Sequence, residues 1–561
     1  MAWGFRSAPL AMSARVLLAH FADADLREHR RIAPGAILIY LILAAALAWM
    51  SRHRLGADTI CYIQMARHMQ EGEFGLAVNS WWSPGLPGLL IPGMPLGFDG
   101  LVWARLVQVP AGLCFAFGAS ALLRRFQGGA GTLAAFILAL CAALAMQGVV
   151  LTPDACHAAV LTWYFVIAHS LLELVTIRRS ALAGVLGGVA YLTKAYSLPF
   201  VVAHLTATYF LSQLRRSERL PVRRVVGCWA LALALVFAVS GPWILVISRH
   251  DGEFTISSAG RYWTVAEPID SREVPLVTRL YAVPAGRWAA LENIHDLPLE
   301  WKPAPPFGSW GWQDRLKAIR RNVNEIGLSL DRLDGVGVTK MVLLLCLAVA
   351  VPLRGLTQDR LRLSVSWGLL SLAIYLGGYA VVHFEDRFLW AIWGLMMVLA
   401  IAGPETIRRR LVVGDAESPP LQQAKALFRL WHGVFLSGLS FLVLTSIGVR
   451  TGAYVAGGSY RLAADLQQTG RQIPSGRVVS STDWATGLYL AFWSHGTCLG
   501  APTNTTADGI AQELRPFGSC LFFVPRRPEL SKALGSNASF KRVKVGSSAI
   551  DAFEFNSAPQ N

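Results

Sequence analysis

Eleven apolar runs, most of them about as long as a bilayer's hydrocarbon core is thick, constrain this chain more than any other feature. They fall at about 33–50, 99–123, 130–150, 155–176, 181–193, 197–212, 225–247, 337–353, 363–382, 388–403 and 429–449, and a spanning helix needs roughly 17–25 such residues. The fifth and sixth are the shortest, and "LTKAYSLPF" interrupts them with a lysine and a proline, as in a broken or re-entrant pair. A composition that is 54% hydrophobic and 15% charged excludes an ordinary soluble enzyme. The net charge of +16 does not point to nucleic acid, because the arginines lie in short clusters between apolar runs. Residues 1–32 hold five arginines and no apolar core of signal-peptide length, so the first run is expected to stay as an anchor.

With residues 1–32 cytoplasmic, every short arginine-rich connection falls on the same side: Arg124–Arg125, Arg178–Arg179, Arg215 to Arg224, Arg354 to Arg362 and Arg408 to Arg429. The positive-inside rule makes that side the cytoplasm. The long 249–336 segment and everything after about 450 then lie outside. Residues 33–450 read as a transmembrane domain with external loops at 51–98 and 249–336. From about 455 to 561, short β-rich runs alternate with turn signals, as in a small external α/β domain. Cys498 and Cys520 lie there, and an oxidising compartment would allow them to pair. The other six cysteines lie in or beside apolar runs and read as small packing residues. No internal repeat, P-loop or zinc motif is present.

The external side gathers charge at four separate short turns: Asp58, Asp154 in "LTPD", Lys194 in "LTKAYS", and His383, Glu385, Asp386 and Arg387 in "HFEDRFLW". Repeated charge at one membrane boundary points to one polar site. Each residue also has a plainer reading. Asp58 and Asp154 stand where a helix N-cap would, Lys194 can snorkel to the interface, and Arg387 can pair with Glu385 or Asp386. The helix after Asp58, with Ile60, Ile63, Ala66 and Met69, is expected to lie along the interface. "AVNSWWSPGLPGLLIP" follows, with Asn79, two tryptophans and Ser83, and serves either as a membrane anchor or as a stacking surface beside the carboxylate.

The set "YIxxAR" (Tyr62 to Arg67), "NxxWSPGxPxLL" (Asn79 to Leu90), "YLTKAYSLPF" and "FEDRFLW", in that order after an acidic residue, resembles the GT-C glycosyltransferases. Nearest are bacterial members related to the dolichyl-phosphate-mannose protein mannosyltransferases and the aminoarabinose transferase of lipid A. The resemblance covers about residues 33–400; Phe388 stands where its pattern has tyrosine. It implies an all-α membrane domain of about eleven helices. It also implies transfer of a sugar from a polyprenyl-phosphate carrier to an envelope lipid, glycan or protein, in a bacterial inner membrane with the site facing the periplasm. A phosphate leaving group departs without protonation, so one general base suffices: Asp58, with Asp154 orienting the acceptor. Lys194 and Arg387 would hold the donor phosphate, and Tyr62, Asn79, Trp82, His383 and Glu385 would contact substrate. No cofactor is assigned with certainty. A divalent metal is left open, since Asp154, His157, His383 and Glu385 lack a metal-ligand spacing. A lipid transporter or flippase without transfer chemistry is the alternative.

Overall fold

The computed structural model describes residues 32–96, 100–127, 132–149, 151–214, 221–259, 279–289, 292, 312–334, 360–411, 459–525, 527–545 and 550–556. Nine of the eleven apolar runs become helices there: α1 (Ile32–Met50), α5 (Gly100–Gln127), α6 (Thr132–Val149), α7 (Asp154–Glu173), α8 (Ile177–Thr193), α9 (Ser197–Leu214), α10 (Val222–Asp251), α12 (Arg360–Val381) and α13 (Trp393–Leu411). The runs at 337–353 and 429–449 lie outside the described residues. Among the described residues, five helices, α1, α5, α7, α10 and α12, are long and apolar enough to cross a membrane, and the chain is an integral membrane protein. Prolines inside α5 (Pro110) and α10 (Pro242) do not end those helices, as is common where neighbouring membrane helices enclose the backbone.

The bundle closes through small residues. Gly184 and Gly188, four apart on α8, face Ala232 and Leu235, and Val236 and Val239, of α10; a Cβ at Gly188 would stand 2.9 Å from the Val236 carbonyl oxygen. This small-xxx-small contact brings two backbones together. It fixes the height of α8, whose last turn delivers Thr193 and Lys194 to the site.

Between α1 and α5 run three short helices, α2 (Ala57–Gln70), α3 (Phe74–Ala77) and α4 (Gly85–Leu90). Helix α2 is more enclosed than a helix laid on lipid alone. Eight consecutive residues from Thr59 to Ala66 are buried, because it is packed between the bundle and the C-terminal part. Leu55, Ile60, Ile63 and Ala66 share one apolar cluster with Leu466, Val479, Leu488 and Phe492, and the Tyr489 hydroxyl donates to the Leu55 carbonyl at 2.8 Å. Of the 249–336 segment, the structure describes 249–259, 279–289, Glu292 and α11 (Trp312–Asp334). Most of "ISSAGRYW" and "WKPAPPFGSWGW" in that segment lies outside the described residues.

Residues 459–556 form the α/β unit: α14 (Ser459–Gln472), β1 (Val478–Ser481), α15 (Trp484–Ser494), β2 (Thr497–Cys498), α16 (Ala507–Leu514), β3 (Cys520–Pro525), α17 (Pro528–Ser536), β4 (Phe540–Val543) and β5 (Ile550–Phe555). The sheet order is β2-β1-β3-β5-β4, with β1 parallel to both neighbours and β5 antiparallel to both of its own. Cys498 and Cys520 are free, buried thiols and do not form the disulfide that their compartment would allow. They stand on β2 and β3, which β1 separates.

Candidate active site

Asp58 is the second residue of α2, and Gly56, in extended backbone, holds the cap position without any side-chain bond. Asp58 is therefore not a cap. Its Oδ2 accepts from Arg387 Nη1 at 2.5 Å, while Arg387 Nε donates to Glu385 Oε2 at 2.6 Å. Arg387 belongs to a 3-10 turn, Asp386–Ile392, between α12 and α13. That turn is pinned from outside by Ser329 of α11, whose hydroxyl donates to Asp386 Oδ1.

Asp154 opens α7, and it does not cap either: Pro153 holds that position. Its Oδ1 accepts from Lys194 Nζ at 2.7 Å and its Oδ2 from the Thr152 hydroxyl at 2.6 Å. The turn that carries it is held by Thr59 of α2, donating to the Leu151 carbonyl at 2.6 Å, and by Gln108 of α5, donating to the Thr152 carbonyl at 2.8 Å. His157 lies one turn further on, with Nδ1 2.8 Å from the Thr193 hydroxyl and Nε2 3.3 Å from that of Ser197. It grips both sides of the Lys194 turn.

The "WSPG" segment meets that turn as well. The Ser83 hydroxyl accepts the Ala195 N–H at 3.0 Å, and a Cβ at Gly85 would stand 2.6 Å from the Leu192 carbonyl oxygen. Only a residue without a side chain fits so close to another backbone. Two motifs separated by more than a hundred residues thus assemble into one structure.

Lys194 Nζ lies 4.1 Å from the centre of the Phe388 ring, a cation–π distance. Phe388 stacks on Tyr379 with ring centres 4.6 Å apart, and Tyr379 on Tyr196 at 3.7 Å. The Tyr375 hydroxyl donates to the Phe388 carbonyl at 3.2 Å. Phe388 thus provides a ring face to the cation, a role that needs no phenol. The sequence reading missed Tyr196, Tyr375 and Tyr379; the signal was there, since Tyr196 lies in "LTKAYS" and the other two are four apart on α12.

The two ion pairs belong to one electrostatic cluster. Burial works against charge on Arg387, but Asp58, Glu385 and Asp154 more than offset it and raise the guanidinium above its ordinary value. Burial likewise opposes ionisation of Glu385, yet His383 and Arg387 hold its carboxyl down at about 2; His383 Nε2 is 3.5 Å from it. Burial, then the Asp58 and Asp154 carboxylates, push the Tyr62 phenol up, so Tyr62 borders the cluster as a neutral hydroxyl. Its ring meets Trp82 edge-on at 5.3 Å. Asn79 is different. Its Oδ1 accepts the N–H groups of Trp81 and Trp82 at 2.8 and 2.9 Å, and its Nδ2 donates to the Glu292 carbonyl. That amide shapes the tryptophan turn, and both of its polar atoms are engaged by backbone.

Among the described residues, the side chains gathered closely enough for a metal ion are His68, Glu71 and Glu73, with ligand atoms within 4.8 Å of one another. They lie at the far end of α2, about 15 Å along the helix from Asp58. His68 Nδ1 is already bonded to Glu73 at 2.7 Å. Asp154, His157, His383 and Glu385, the groups that left a metal open, are taken up by the contacts given above.

The crystal structure of ArnT from Cupriavidus metallidurans bound to undecaprenyl phosphate superposes with a TM-score of 0.56 at 13% identity, covering 94% of this chain and 99% of that one. Its apo state gives 0.51 at 14% identity, over 94% and 100%. The chain has the GT-C fold. At these identities the likeness is one of fold, over 94% of this chain. No family profile and no curated protein matches the sequence.

Proposed function

We propose that this chain is an integral-membrane glycosyltransferase that moves a hexosyl or pentosyl group from a polyprenyl-phosphate-linked donor to an envelope lipid, glycan or protein. Residues 33–450 would form the catalytic membrane domain and 455–561 an external α/β domain, with the active site and that domain facing the periplasm from a bacterial inner membrane. The observation that carries this reading is the meeting of Asp58, Asp154, Lys194 and Arg387, from four distant segments, as two adjacent ion pairs. The neighbour with undecaprenyl phosphate bound supports the donor class.

The pairing suggests how binding prepares the chemistry. The donor's phosphodiester offers Arg387 two non-bridging oxygens that share one negative charge, a forked partner that a single carboxylate oxygen does not match. As the phosphate takes the guanidinium, Asp58 is released to face the acceptor. The acceptor oxygen then attacks the anomeric carbon and forms the new C–O bond while its proton passes to Asp58. The bond to the carrier phosphate breaks, its electron pair stays on the phosphate, and Arg387 and Lys194 stabilise the charge that builds there. Asp154 keeps Lys194 aimed over Phe388, Tyr62 and Trp82 border the sugar, and His383 and Glu385 steady Arg387. A flippase would place its charges near mid-membrane; here they lie at the helix ends.

Mass spectrometry of envelope glycolipids and glycans from cells with the gene, without it, and with Asp58→Ala tests the reading. A sugar lost in both altered strains is the expected result. An unchanged profile, or transport of the intact carrier surviving while no sugar is missing, removes it.

A further inference from the structure

Helix α11 has three faces rather than two. Rotating about 100° per residue, it buries Asn322, Ile326, Ser329 and Leu330, with Asn322 Nδ2 donating to the Ala380 carbonyl at 3.0 Å near the end of α12. The next sector leaves Trp312, Leu316 and Val323 76%, 58% and 54% exposed. The sector beyond that carries exposed Arg320, Lys317 and Arg321 with Asn324. An open groove of about 700 Å³ runs between these sectors, lined by Lys317, Arg320, Arg321, Val323, Asn324 and Leu328. It lies off the carboxylate and cation cluster.

A helix fixed to the outer end of a membrane-spanning helix is at headgroup depth. There an apolar stripe has acyl chains to cover it, and a neighbouring basic stripe meets phosphates. We infer that α11 is a docking surface for the headgroups of anionic phospholipids in the leaflet on the site's side. Its basic sector binds the phosphate, and its apolar sector, with Trp312 at the start, seats in the acyl boundary. Charge complementarity argues for this occupant over a zwitterionic lipid, whose ammonium group would oppose three clustered cations. The contact reaches the reaction centre, because Ser329 on the same helix holds Asp386, next to Arg387. Lipid bound on α11 therefore steadies the turn that carries the arginine. This inference stands on the geometry of α11 and not on the transfer reading.

The test uses the full chain in nanodiscs made from phosphatidylglycerol and phosphatidylcholine, with retained lipid counted by native mass spectrometry. Wild-type protein is expected to retain phosphatidylglycerol preferentially, and the preference should weaken as salt is raised. Replacing Lys317, Arg320 and Arg321 together by glutamine should reduce it by up to roughly a hundredfold, from about fivefold per basic residue near an anionic surface. Lys532→Gln with Lys541→Gln, exposed on the C-terminal α/β unit, serves as control and should leave the wild-type preference in place. Folding of each variant is checked by its unfolding midpoint; the three residues are exposed, so no loss is expected. A triple variant that retains phosphatidylglycerol as wild type does, or a preference abolished equally by the control pair, overturns the inference.

Discussion

Asparagine at position 58 keeps the size of the side chain and removes the charge facing Arg387, and it should move two quantities in opposite directions. Unit charges about 4 Å apart attract by about 4 kcal/mol at an effective dielectric of roughly 20. Both side chains are about a quarter exposed, at 26% and 23%, and Arg387 retains Glu385 at 2.6 Å. Solvent screening and the surviving partner reduce the loss to about 1–2 kcal/mol. On the proposed mechanism Asp58 competes with phosphate for that guanidinium, so the same amount should return as tighter binding of undecaprenyl phosphate, about 5- to 30-fold. Turnover should fall by about 10²–10⁴, the usual contribution of a general base. The assay is equilibrium binding of undecaprenyl phosphate to the protein in nanodiscs, beside single-turnover transfer from a labelled lipid-linked sugar. Weaker carrier binding together with turnover within tenfold of wild type would refute both the competition and the assignment of the base.

Three further outcomes are expected. Gly85→Ala sets a Cβ 2.6 Å from the Leu192 carbonyl oxygen and 3.0 Å from Thr193 Cα; neither backbone atom can rotate away, so a loss of about 1–3 kcal/mol should appear as a lower unfolding midpoint, with weaker carrier binding as Lys194 shifts. Phe388→Leu removes the ring beneath Lys194 and should cost about 1–2 kcal/mol in the same measurement, whereas Phe388→Tyr should behave as wild type. Glu385 has a folded value of about 2 against an ordinary 4.5, so its stabilising effect is present above about pH 4.5 and fades as pH falls toward 2. The difference in unfolding midpoint between wild type and Glu385→Gln should shrink over that window, and a constant difference would contradict the pairing.

The fold and the position of the site were legible because membrane physics writes them into local sequence. Apolar runs of spanning length gave nine of the described helices, and four charged turns on one predicted side gave the cluster. What stayed hidden depends on partners far along the chain. Whether Asp58 caps its helix turns on one extended residue at Gly56 and on an arginine 329 positions away, and neither follows from the neighbouring residues. Asn79 looks like a substrate contact in a linear motif, yet its amide is fixed by the backbone of the turn it shapes. The burial of α2 could not be read from its own pattern either, since the surface covering it comes from residues beyond 459. Cys498 and Cys520 have a composition suited to pairing, and strand order alone keeps them apart.

The two outer strands of the C-terminal sheet are closed in different ways. Along β2, the 279–289 segment is laid down as a further rung: Ala289 bridges Cys498, the Cys498 N–H reaches the Trp288 carbonyl at 2.5 Å, and the Tyr281 N–H reaches that of Leu499 at 2.9 Å. Along β4, exposed Lys541 confronts any incoming strand with positive charge, while its neighbour Arg542 is paired with Asp551 of β5. Bare sheet margins template aggregation, and chains protect them by covering or charging them. One margin here is guarded by the protein's own loop, the other by repulsion, so crowded surroundings offer this sheet little opportunity to zip onto a neighbour.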